Sequence, residues 1–125
     1  MILRSGIDLV EVDRFRTLQP HLRQRFIERV FTPAEIELCG DRDTSLAGRF
    51  AAKEAVAKAL GTGIGEVRWQ DIEILADEQK TPVLHLHEKA AEIADGLGLT
   101  QWSVSITHTQ TMAAGQAVGV GNQPD

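Results

Sequence analysis

Apolar and polar positions change period several times along this chain, and each change marks an element. Residues 2–10 read as a strand that carries one carboxylate, Asp8, near its end. Asp13 to about Gln19 predicts a short helix capped by Asp13, which Pro20 ends or redirects. Leu22, Phe26 and Val30 recur every four residues, so a second helix is expected over 21–30. Thr32-Pro33-Ala34-Glu35 is a strong helix start, with a capping threonine, proline at the first helical position and glutamate three residues on. That helix stops at Gly40. Asp43 or Thr44 opens the main, alanine-rich helix, which runs to Gly61-Thr62-Gly63, where glycines suit a left-handed cap.

Downstream the period falls to two. Trp69 to Leu75 reads as a half-buried strand, Asp77 to Lys80 as a turn, and Pro82 to Leu86 as a second strand. Glu88 to Leu97 is an amphipathic helix closed by Gly96 or Gly98. Trp102 to Thr107 and Ala113 to Val120 form a hairpin. There are no internal repeats. Long crossovers mixed with hairpins predict an α+β sandwich with a largely antiparallel sheet.

The 125 residues suit one domain spanning the whole chain. Such a domain buries a core but has little room for a deep private cavity, so a large ligand would need a second subunit. No apolar run approaches the roughly 20 residues of a membrane span. The opening segment lacks the long apolar centre of a signal peptide. The single cysteine, Cys39, cannot form an internal disulfide and reads as packing rather than a nucleophile. A cytoplasmic home is the expectation.

Net charge is −5, unevenly spread. Between Arg14 and Arg29 stand five arginines and one acid, Glu28, a net of +4; the remainder holds eight Lys and Arg against seventeen Asp and Glu. Such a stretch is either a solvated helix face or a docking patch for an acidic partner. A nucleic-acid partner is not expected, because the rest of the surface would repel phosphate.

Candidate chemistry gathers in three segments. Glu54 and Lys58 lie four apart in the alanine-rich helix, beside Lys53. A carboxylate and an ammonium one turn apart can hold a divalent cation and a phosphate side by side. Asp8 on a covered sheet face needs a partner, either a salt bridge to an arginine such as Arg14 or a magnesium ion shared with Glu54. Gly61 to Gly65 can cap the helix or admit a phosphate close to the backbone, but it is not a P-loop. Ser103-Val-Ser105-Ile-Thr-His108-Thr109 brings hydroxyls and an imidazole to a strand end, without the strained elbow of a serine hydrolase. His85 and His87 lack the further ligands of a zinc site.

Four of these segments, in order, resemble the holo-acyl-carrier-protein synthase family. They are Gly6-Ile-Asp8-Leu-Val-Glu-Val-Asp-Arg14-Phe15, Phe31-Thr-Pro-Ala-Glu35, Ala47-Gly-Arg49-Phe50-Ala-Ala-Lys53-Glu54-Ala-Val-Ala-Lys58-Ala-Leu-Gly61-Thr-Gly-Ile64, and Ser103 to Thr109. The resemblance implies a small 4′-phosphopantetheinyl transferase. It would move phosphopantetheine from coenzyme A to a serine of an apo acyl carrier protein, release adenosine 3′,5′-bisphosphate and support fatty acid biosynthesis. It implies a homotrimer with coenzyme A at subunit interfaces. Carried over residue by residue, Asp8 and Glu54 hold magnesium and Lys58 neutralises the leaving group. Arg49, Lys53, Gly61, Ser105, His108 and Thr109 face the nucleotide, and Arg14, Arg16, Arg23 and Arg25 dock the acidic carrier. The base for the acceptor serine stays open among Glu54, Asp8 and water assisted by Glu54. Two departures stand out: Met112 replaces a tyrosine common in the family, and the turn before Pro82 has no glycine. A binding module without turnover and a magnesium-dependent nucleotide phosphatase are the rival readings.

Overall fold

The computed structural model describes residues 1–62 and 65–122. Gly63 and Ile64, part of the glycine-rich turn expected after the main helix, lie outside the described residues. The elements in order are β1 (Ile2–Glu11), α1 (Asp13–Arg16), α2 (Pro20–Val30), α3 (Pro33–Cys39), α4 (Asp43–Leu60), a 3₁₀ turn (Trp69–Asp71), β2 (Ile72–Ala76), β3 (Pro82–Leu86), α5 (Glu88–Leu97), β4 (Leu99–His108) and β5 (Met112–Gly121). β1, β5 and β4 form one antiparallel sheet in that order, and β2 pairs with β3 in a second. This is the α+β, antiparallel architecture that the pattern predicts.

Helix α4 packs on β1 and β5, and it also touches β2 and β4. Twelve of its eighteen residues are buried, so alanine suits it: a small side chain lets neighbouring backbones approach from several directions. The approach is closest at two strand glycines. A methyl group at Gly6 would overlap the Ala55 carbonyl, and one at Gly115 would overlap the backbone of Ala51 and Ala52. Glycine inside a strand marks such a close crossing.

Two apolar clusters flank the helix. One joins α4 to β2, α5, β4 and β5 through Val56, Leu60, Ile72, Ile74 and Val104. The other sets Phe15, Phe31 and Phe50 under α1–α3. The opposite face of the larger sheet is open. Leu3, Ile7 and Leu9 alternate onto it and are 65–66% exposed.

Three local expectations change. Asp13 does not cap a helix running to Gln19: Val12 is the N-cap, the helix is one turn long, and the Thr17 hydroxyl donates back to the Asp13 carbonyl at 2.7 Å. Pro20 starts the next helix at its first position. Trp69–Asp71 is a 3₁₀ turn rather than strand, closed by Arg68 N–H donating to the Asp71 carboxylate at 3.2 Å. In the turn before Pro82, Lys80 takes the left-handed position (φ 65°) that a glycine would adopt at ease.

Candidate active site

Strand β1 is an edge strand, and Asp8 on it faces α4 across from Gly115. Gly6 and Gly115 let α4 settle low enough for its side chains to reach Asp8. Lys58 Nζ donates to Asp8 Oδ1 at 3.0 Å and to the Ile7 carbonyl at 2.9 Å. Asp8 is therefore bridged to Lys58 rather than to Arg14. Asp8 Oδ2 is buried and, among the described residues, meets no hydrogen-bond donor.

Glu54, one turn before Lys58, shares this corner. Burial and the adjacent Asp8 carboxylate push its carboxyl up to about 7, while Arg14 and Lys58 pull the other way. A protonated Glu54 can share a hydrogen bond with Asp8, whereas the two carboxylates when both ionised are acceptors only and repel each other. The corner holds two acids and one ammonium, with Arg14 at its rim. The Arg14 guanidinium lies 5.0 Å over the Phe50 ring, and Phe50 leans on Trp69 at 5.0 Å and on Phe26 at 5.6 Å.

The chain matches the model of the 4′-phosphopantetheinyl transferase superfamily over residues 4–113. It is 45% identical to a holo-[acyl-carrier-protein] synthase of Herpetosiphon aurantiacus, across 96% of this chain and 100% of that one. The chain belongs to the holo-[acyl-carrier-protein] synthase family. Solved members of the family share the fold. The Helicobacter pylori synthase in complex with coenzyme A superposes with a TM-score of 0.81 at 35% identity, covering 94% of this chain and 99% of that one. The Bacillus anthracis synthase in complex with CoA (3′,5′-ADP) does so at 0.76 and 32%, covering 95% and 96%.

The magnesium that this family resemblance implies fits the corner. Among the described residues no group of three or more ligating side chains gathers anywhere. Magnesium does not demand one, since it is commonly held by one or two carboxylates plus water and substrate phosphates. Asp8 Oδ2 and the Glu54 carboxyl are the hard oxygen donors of this corner that could hold it.

The other expected synthase residues are scattered. Lys53, expected at the nucleotide, is fully buried, 2.7 Å from Glu35. Successive helix residues point about 100° apart, so Lys53 faces β2 while Glu54 faces β1. Arg49 lies on the same side as Lys53 and donates through Nε to the Ile74 carbonyl at 3.2 Å. Gly61 forms the left-handed cap of α4 (φ 75°). Ser105 is exposed on the open sheet face, beside Gln116. His108 is exposed at the end of β4, and the Thr109 hydroxyl closes the β4–β5 turn by accepting from Met112 N–H at 3.1 Å.

Of the arginines expected to dock a carrier, Arg25 is exposed. Arg16 donates to Asp13 and to the Gln110 carbonyl. Arg23 is turned inward: it clamps Asp41 at 2.8 Å and Asp43 at 2.7 Å, tying α2 to the start of α4. His87 holds Glu73 at 3.0 Å and so serves the β2–β3 hairpin. Cys39 is buried, which raises its thiol pKa and keeps it unreactive. Sequence reasoning missed Gly6 and Gly115, although glycine in a strand two residues from Asp8 was a readable sign of close approach.

Proposed function

We propose that the chain transfers 4′-phosphopantetheine from coenzyme A to a serine of an apo acyl carrier protein, with Asp8, Glu54 and Lys58 as its working residues. The observation that carries this reading is the convergence of those three side chains, from β1 and one face of α4, in a protein of this family. The serine oxygen attacks the phosphorus of the phosphopantetheine arm. The bond to the adenosine 3′,5′-bisphosphate breaks as the new one forms.

Asp8 and Glu54 would hold magnesium, which supplies Lewis-acid charge neutralisation when bound. Lys58, half-exposed and aimed at the same corner, meets the charge that grows on the departing phosphate. The serine proton leaves to a water positioned beside Glu54. Catalysis here is positioning plus electrostatics.

The whole chain acts as one transferase domain and assembles as a homotrimer. The open face bearing Leu3, Ile7 and Leu9 supports assembly, because a soluble monomer rarely leaves such a row of large apolar side chains wet. Ser105 and Gln116 stand on that same face. In one subunit Arg49, Ser105 and His108 do not reach the Asp8 corner, so a composite site made between subunits would bring nucleotide ligands to it. Arg14 and Arg25 dock the acidic carrier. No described helix is long and apolar enough to cross a membrane. The setting that suits the reaction is the cytoplasm, in support of fatty acid biosynthesis.

Incubation with coenzyme A, magnesium and apo carrier protein tests the reading by mass. The carrier should gain one phosphopantetheine, roughly 340 Da, while adenosine 3′,5′-bisphosphate appears in equal amount. Binding without mass gain would mark a module without turnover. Phosphate release without mass gain would mark a phosphatase.

A further inference from the structure

Lys53 is the least expected residue of α4. Its side chain is wholly buried, and its three N–H donors are all used. They go to Glu35 Oε1 at 2.7 Å, the Trp69 carbonyl at 3.0 Å and the Ile72 carbonyl at 2.7 Å. Glu35 is equally occupied, accepting from Thr32 N–H at 2.9 Å and Ile74 N–H at 2.8 Å. One ammonium thus joins α4 to α3, to the 3₁₀ turn and to the first residue of β2.

Stability alone is a poor reason for this pair. Both ions are stripped of water, and well-packed apolar side chains of similar volume commonly do as well. What the pair adds is direction. The sheet side of α4 is lined by the small residues Ala52, Ala55 and Ala59, so a polar tie on another side of the helix adds to what resists its rotation about its axis. Lys53 is a pin against such rotation, and Glu54 is the next residue. A carboxylate roughly 6 Å from a helix axis moves about 1 Å when the helix turns by about 10°. A misplacement of about 1 Å can cost a reaction about a hundredfold.

The pin also reaches the rim of the corner. Holding the Trp69 carbonyl fixes the turn whose ring supports Phe50, and Phe50 carries Arg14.

We propose that Lys53, locked to Glu35, is a positioning residue that sets the rotation of α4 and so aims Glu54 at Asp8. The proposal rests on the reading that Glu54 works beside Asp8. The test compares wild type with Lys53→Met/Glu35→Gln, which removes both charges and keeps the volume, and with Lys53→Arg, which keeps the charge but moves its head. Lys89→Met, at an exposed position of α5, is the control. Two readouts are taken on cooperatively melting protein: steady-state transfer, and binding of Mn²⁺ followed by electron paramagnetic resonance without coenzyme A.

The double variant should lose about tenfold or more in kcat with KM for coenzyme A within about twofold, and Mn²⁺ affinity should fall by about tenfold, the range seen when supports of a metal site are removed. Lys53→Arg should show the same split to a lesser degree, and it carries the test alone if the double variant does not fold. Wild-type kcat in either folded variant overturns the proposal. If wild type itself binds no Mn²⁺, the metal reading fails, and the split between kcat and KM still decides the role of Lys53.

Discussion

Replacing Glu54 by Gln should make the protein more stable and destroy its activity. Burial and the neighbouring Asp8 carry the Glu54 carboxyl from 4.5 to about 7. The folded state therefore prefers Glu54 protonated. Stability from this source is full below about pH 4.5 and is lost as pH rises through about 7. The gap of about 2.5 pH units would be worth about 3.4 kcal/mol for a fully buried group. Glu54 is only partly buried, and solvent screening brings the figure down to about 1 kcal/mol. For a chain of this size about 1 kcal/mol is about 4 °C in Tm.

The assay is a circular-dichroism melt at low ionic strength with a chelator, at pH 5 and pH 8. At pH 8 Glu54→Gln should melt about 4 °C above wild type; at pH 5 the two should nearly coincide. Magnesium should raise the wild-type melt at pH 8 and leave the variant unmoved, since a ligand stabilises only the state that binds it. Transfer to the carrier should fall by about a hundredfold or more. A variant that melts below wild type at pH 8, or by the same margin at both pH values, would refute the crowded-carboxylate account.

Gly6→Ala should lower stability by about 1–3 kcal/mol and remove activity, because α4 must lift off the strand that carries Asp8; an unchanged melt with full turnover would show that the sheet yields. Ile7→Asp should give a monomer in light scattering with little transfer activity, and a retained trimer would place the interface elsewhere. Arg25→Glu should raise KM for the carrier by about two- to fivefold, flatten its salt dependence and leave binding of coenzyme A unchanged. Arg23→Ala should instead lower Tm, since it breaks a partly buried clamp on Asp41 and Asp43; equal effects of both arginines on the carrier would contradict that division.

Much of this protein is determined by the sequence itself. Periodicity places the strands and the long helices, because side-chain period is a local property of the backbone. The Thr32–Glu35 capping box forms as written, since both of its hydrogen bonds close within one turn. Glu54 and Lys58 are legible as neighbours for the same local reason. The four family blocks identify the chemistry.

Tertiary structure decides what depends on long-range neighbours. The Trp69–Asp71 turn closes locally through Arg68 and Asp71, but its tie to α4 comes from Lys53, sixteen residues earlier, which donates to the Trp69 carbonyl. Lys53 is expected to face the nucleotide until Glu35 is brought beside it, and only the packing of α3 on β2 does that. Arg23 looks like its free neighbours until the start of α4 presents Asp41 and Asp43. Asp8 pairs with Lys58 because two glycines let a helix settle on a strand fifty residues away in sequence. A charge's role is set by what faces it, and in each case the facing group comes from an element that no local pattern can place.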